Sequence, residues 1–164
     1  MSDPGPVVTD SGPLIALATV GQMDLLGKVF GTILVPDAVF REVAWYGARR
    51  PGADELAAAT WAIRVDLEVP PEALLAEDVG PGESEAIALA VQRRARLLLL
   101  DDRRARRIAE VAYHLRVKGR RRPGRGEKTR IDCLCREPSC PHSRPRYYIA
   151  QPIIDRAVRE AGEA

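Results

Sequence analysis

At 164 residues, 46% hydrophobic and 29% charged, the chain can enclose one sizeable core and is too apolar for a disordered polymer. No apolar run approaches a membrane span, and Met1-Ser2-Asp3-Pro4-Gly5 lacks the basic start of a signal peptide, so a soluble cytoplasmic protein is expected. The net charge of +2 conceals a polarity: residues 1–90 carry 5 Lys and Arg against 14 Asp and Glu, whereas residues 91–164 carry 20 against 9. Such asymmetry fits an acidic site beside a basic surface suited to nucleic acid, and it equally fits charges that intermix on folding.

Val7-Val8-Thr9 is β-branched and predicts a short buried strand that ends on Asp10. Ser11 can cap a following helix, with Pro13 in its first turn, where a missing N–H does no harm. Apolar residues between Leu14 and Phe30 predict two helical segments hinged near Gly21 and ended by Gly31. Thr32 to Val35 predicts a second strand, and Pro36 opens a helix through Val43. Arg49-Arg50-Pro51-Gly52 breaks the chain, Ala53 to Ala59 forms a short helix, and Ala62 to Val65 a third strand.

A polar stretch rich in Pro and Glu then predicts a linker up to Gly82. Glu83 to Arg94 has the pattern of an amphipathic helix with acids in its first turn, where the helix dipole favours them. Arg96 to Leu100 is a nearly continuous apolar run, the mark of a strand covered on both faces, and it ends on Asp101-Asp102. A basic helix from Arg103 to about Ala112 and a last core strand at residues 115–117 complete the pattern. Strands alternating with helices predict a parallel α/β sheet of about four to five strands between helical layers. Past Lys118 the composition changes. Residues 119–146 are rich in Arg, Pro and Gly and hold all three cysteines, whereas residues 147–161 return to helical periodicity.

Asp10 and Asp101 each follow a strand directly, and the carboxyl edge of a parallel sheet is where ligands gather. Neighbouring strands lie about 4.8 Å apart, so two acids at their ends can meet. Glu83 begins the helix that feeds the Arg96–Leu100 strand, and Glu42 lies near the end of the helix after the second strand. Carboxylates converging in this way repel one another unless a cation neutralises them, and hard oxygen donors suit Mg²⁺ or Mn²⁺. Such an ion can activate water and offset charge on a phosphodiester. The same residues also have ordinary structural uses: turn formers or caps for the two aspartates, a dipole partner for Glu83, a solvated helix position for Glu42. No Ser-His-Asp set, Walker loop or dinucleotide fingerprint is present.

The strings VVTDSGPLIAL, VPDAVFREV, GPGESEAIALA and LLLLDDRRARRIA, in this order, resemble the PIN domain, especially the small prokaryotic group related to VapC-type toxins. The resemblance covers residues 6–118 and the last helix within a single domain of 164 residues. It implies an Mg²⁺- or Mn²⁺-dependent nuclease acting on RNA, the toxin of a toxin–antitoxin pair restrained by a small antitoxin, and a homodimer. It aligns Asp10, Glu42, Glu83 and Asp101 with the four catalytic acids, with Asp10, Glu83 and Asp101 as metal ligands and Ser11, Glu85 and Asp102 as supporting candidates. Gly12 stands where many relatives have a small polar residue. The alternative is a catalytically inactive PIN-like binding module or a degraded family member.

Arg103, Arg104, Arg106 and Arg107 follow the fourth acid and are candidates for phosphate contact or for a solvated helix face. Cys133, Cys135, Cys140 and His142 are the right kinds of zinc ligand. Their spacing is wrong, with C-x-C in place of C-x₂-C and all four within ten residues, so zinc is not expected. Relatives carry a helix of the type AK-x-x-GLI in this region. Gly126 to Cys135, GEKTRIDCLC, can be encoded so that a one-base shift reads AKRRGLIASV, which predicts that residues 120–146 are translated out of frame. The coding DNA decides it: codons that cannot yield an apolar helix in the shifted frame end the idea.

Overall fold

The structure, a computed structural model, describes residues 5–46 and 52–118. Among the described residues five strands form one sheet: β1 (Val7–Thr9), β2 (Ile33–Pro36), β3 (Ala62–Val65), β4 (Leu97–Leu99) and β5 (Val117–Lys118). Their order is β3-β2-β1-β4-β5 and every pairing is parallel. β1 takes Ile33 of β2 and Leu97 of β4 as partners of Val7, so it lies mid-sheet with both edges hydrogen-bonded.

Successive strand residues face opposite sides, which divides the core in two. Val7, Ile33, Val35, Leu97 and Leu99 face α1 (Ser11–Thr19), α2 (Leu25–Phe30), α3 (Asp37–Tyr46) and α4 (Ala53–Ala58) through Leu14, Leu17, Leu26, Val39, Val43 and Leu56. Val8, Leu98 and Leu100 face α5 (Ala73–Asp78), α6 (Pro81–Gln92) and α7 (Arg103–Val111) through Leu75, Ile87, Leu89, Ala105 and Ala109. The architecture is the expected three-layer α/β/α sandwich on a parallel sheet.

Several local expectations shift. Asp10, not Ser11, is the N-cap of α1: its carboxylate accepts the Gly12 N–H, at 3.5 Å, and Ser11 is the first helical residue. Pro36 closes β2 instead of opening α3, and the last strand is Val117–Lys118. The stretch expected as a linker contains α5, whose Leu75 is buried while Leu74 stays exposed. Gly31 does end α2, at a φ of +74°. Among the described residues no helix is long and apolar enough to cross a membrane. The cysteine-rich tract, with its zinc and out-of-frame expectations, and the helix expected at residues 147–161 lie outside the described residues.

Candidate active site

Asp10 leaves the end of β1 with its amide bonded to Leu99 O of β4, at 2.9 Å, so the backbone of two central strands fixes it. It is 2% exposed, and its Oδ1 is buried with no hydrogen-bond partner among the described residues. An unpartnered carboxylate oxygen away from water is costly, and native structures tolerate few.

Two helices bring further acids to it. α3 starts directly after β2 and carries Glu42; α6 starts at Pro81, where the missing N–H is harmless, and carries Glu83 in its first turn. Gly82 lies between them. A Cβ placed on Gly82 would stand 2.6 Å from Glu42 Oε2 and 3.3 Å from Asp10 Oδ1, so both oxygens face one small space that a side chain would fill. The Glu83 carboxylate folds back toward Gly80, at the amino end of its own helix.

The electrostatics agree. Burial, then the charge of Glu83, then that of Glu42, push the Asp10 carboxyl up to about 7, although the Ser11 and Gly12 amides pull it down. Glu42 is also raised, by burial first and by Glu83, while a hydrogen bond from the Ser11 side chain lowers it. Asp10, Glu42 and Glu83 thus feel one another as like charges in a poorly solvated place.

Asp101 follows β4 and packs against the start of α1. A Cβ on Gly12 would stand 2.6 Å from Asp101 Cβ, so a side chain here has no room unless Asp101 moves. Because the obstructing atom is next to backbone, it cannot swing aside. Gly12→Ala is expected to move Asp101 and to cost about 1–3 kcal/mol of stability, as overpacking does. Urea unfolding measures it, and an unchanged midpoint would contradict the close packing.

The supporting candidates separate. Ser11 serves Glu42 through its side-chain hydrogen bond. Glu85 turns to α3, where it accepts the Ala38 N–H at 2.9 Å. Asp102 is the N-cap of α7 and accepts the Ala105 N–H at 2.8 Å. Of the arginines on α7, Arg104 pairs with Asp78 of α5 and Arg106 is half-buried, whereas Arg103 and Arg107 are exposed one turn apart. Sequence reasoning missed Gly82. Its flanking glycine and proline marked a helix start and gave no sign that the second glycine makes room for two carboxylates.

The PIN-domain family profile matches residues 6–120, which spans β1 to β5 and the acids Asp10, Glu42, Glu83 and Asp101. The chain belongs to the PIN-domain family. Among curated proteins and among solved structures, none matches it. PIN domains are generally nucleases and typically use divalent metals, so membership supports a hydrolase-type fold. The donor set fits such an ion: the orphaned Asp10 oxygen, the Glu42 oxygen facing the same space, and hard carboxylate chemistry throughout. Among the described residues, however, no three ligand-type side chains are grouped so as to hold an ion as they stand. In this PIN domain Asp10 and Glu42 face one space beside Gly82, and Glu83 acts on both as a like charge.

Proposed function

We propose that this PIN-domain protein is a metal-dependent endoribonuclease, the toxin of a toxin–antitoxin pair acting in the cytoplasm. The observation that carries the reading is the buried Asp10 carboxylate, one oxygen unpartnered, facing the same space as Glu42 beside Gly82. Asp10, Glu42 and Glu83 would hold Mg²⁺ or Mn²⁺, with Asp101 as a further donor at the neighbouring strand end. When bound, the cation supplies the positive charge that activates water and offsets charge building on the phosphodiester. In the hydrolysis, water oxygen forms the new bond to phosphorus and the bond to the departing ribose oxygen breaks. Glu42, held by a hydrogen bond from the Ser11 side chain and facing the same space as Asp10, would take the water proton, and the departing ribose oxygen would take one from solvent.

Exposed Arg103 and Arg107 begin two residues beyond Asp101 and would contact RNA phosphates in this reading. Arg103→Ala/Arg107→Ala is expected to weaken binding of a single-stranded RNA oligonucleotide. It should also flatten the slope of log K against log salt by about 0.7 for each phosphate no longer neutralised. Fluorescence anisotropy across a salt series measures it. Arg104→Ala, which breaks an ion pair with Asp78, should change the slope less.

A second reading, a PIN-like module that binds without cutting, is favoured by the absence of a closed ligand set among the described residues. A ribonuclease assay with Mg²⁺, Mn²⁺ and chelator on wild type and Asp10→Asn separates the two. Metal-dependent cleavage by wild type and none by the variant supports the enzyme; equal cleavage by both, or none by folded wild type, supports the module. An acidic edge of this kind would be blocked by a small antitoxin. A short neighbouring reading frame with a DNA-binding pattern would support that partner, and size measurement in solution tests the homodimer.

A further inference from the structure

Two of the contacts between α3 and α6 lie one helical turn apart. At the first, Gly82 of α6 faces Glu42 and Val39 of α3, with Val39 Cγ2 3.5 Å from where a Gly82 Cβ would stand. At the second, Glu85 Oε2 accepts the Ala38 N–H at 2.9 Å. Gly82 and Glu85 are three residues apart on one helix, and Ala38 and Glu42 four apart on the other, so each pair shares a helix face. Moving one turn forward along α6 therefore corresponds to moving one turn back along α3.

The Glu85 bond is of a kind that fixes position. The first amides of a helix have no partner within it, and Glu85 supplies one while placing negative charge at the positive end of the α3 dipole. The outer side of the same turn is tied separately: Asp37 pairs with Arg41 at 2.7 Å and with Arg64 of β3, and Arg64 lies 5.2 Å above the Phe40 ring. The amino end of α3 is thus held on its outer side by Arg64 and on the α6 side by Glu85. A slip of one residue along α3 would carry Glu42 about 1.5 Å along the axis and turn it by about 100°. That is enough to remove it from Asp10.

We infer that Glu85 is a positioning residue and not a metal ligand: its bond to the Ala38 amide sets the register of α3 against α6 and so places Glu42 beside Asp10 and Glu83. The inference rests on the reading of these acids as a cation site, and its test separates the two. Mn²⁺ binding to the full chain is measured by calorimetry for wild type, Glu85→Gln and Glu85→Ala, with amide exchange followed at Ala38.

Glu85→Gln keeps an acceptor oxygen, and both Mn²⁺ affinity and Ala38 protection are expected to stay within about threefold of wild type. Glu85→Ala is expected to lose Ala38 protection and to weaken Mn²⁺ binding by about tenfold or more, the range seen when groups that orient ligands are removed. A purely structural role would lower the melting temperature of Glu85→Ala and leave its Mn²⁺ affinity unchanged, which overturns the inference. So does a Glu85→Gln variant as impaired as Glu85→Ala, because then the charge and not the bond acts. If wild type binds no Mn²⁺, the cation reading fails. The positioning role is then decided by the carboxyl carbon NMR signals of Glu42 and Asp10, which should shift in Glu85→Ala and stay in Glu85→Gln; signals unmoved in both overturn it.

Discussion

Asp10→Asn is expected to abolish metal-dependent cleavage and, in the metal-free protein, to raise stability at neutral and alkaline pH. Electrostatic groups aimed at developing charge are worth roughly 10²–10³ in rate, so a fall of at least about 100-fold should be seen. The stability gain follows from the raised carboxyl. Asp10 titrates near 3.8 when unfolded and near 7 when folded, held up by burial, Glu83 and Glu42. Between those values the folded state binds the extra proton, so the contribution of Asp10 to wild-type stability is most favourable below about pH 4. It declines as the pH rises toward 7 and is lower by about 4 kcal/mol above it.

Asparagine cannot ionise, so the variant should lack this decline. Its oxygen can still cap α1 by accepting the Gly12 N–H, and its amide can donate into the space shared with Glu42. The gain above pH 7 should therefore be a few kcal/mol, read as several degrees in a thermal melt with chelator present. Mn²⁺ should raise the melting temperature of wild type and leave the variant unmoved. A wild-type melting curve independent of pH between 4 and 8 would show that the Asp10 carboxyl is not strained by its neighbours.

The second large effect is expected at Gly82→Ala. Glycine to alanine inside a helix ordinarily stabilises by about 0.5–1 kcal/mol. Here the added methyl would overlap Glu42 Oε2, at 2.6 Å, and crowd Asp10 Oδ1, at 3.3 Å. Glu42 can rotate outward, but Asp10 is short, buried and anchored to a central strand. The fold should survive while Mn²⁺ affinity and cleavage fall by about 10–100-fold, as when the support of a metal ligand is removed. Calorimetry with Mn²⁺ and a ribonuclease assay together check it, and unchanged affinity would mean that the space beside Gly82 is not where an ion sits.

The parts of the fold legible in the sequence were those governed by periodicity. Val7 to Thr9 and Leu97 to Leu99 are buried on both faces and read as unbroken strand-forming runs. The α6 helix repeats its buried residues at helical spacing. What escaped depends on contacts distant in sequence. α5 buries only Leu75 and follows Pro70-Pro71, so its polar surface resembled a linker. Ser11 looks like a cap because of its type, yet Asp10 takes that place and Ser11 bonds to Glu42, an acid from another helix. The roles of Gly82 and Glu85 depend on how α6 meets α3, which no local pattern states. Four acids in order were visible; which of them converge was not.

The pairing of β1 with β4 has a consequence for the time at which this molecule becomes competent. Val7 can find Leu97 only after most of the described chain has been synthesised, because β1 joins β2 on one side and waits for β4 on the other. Such non-local pairings form late and slowly. Asp10 emerges from the ribosome early, but the amide that orients it stays unbonded until Leu99 arrives, and Asp101 comes later still. If the chain cuts RNA, it cannot do so while its own message is being read through the first half. Any activity that needs an oriented Asp10 therefore waits until β4 has joined the sheet.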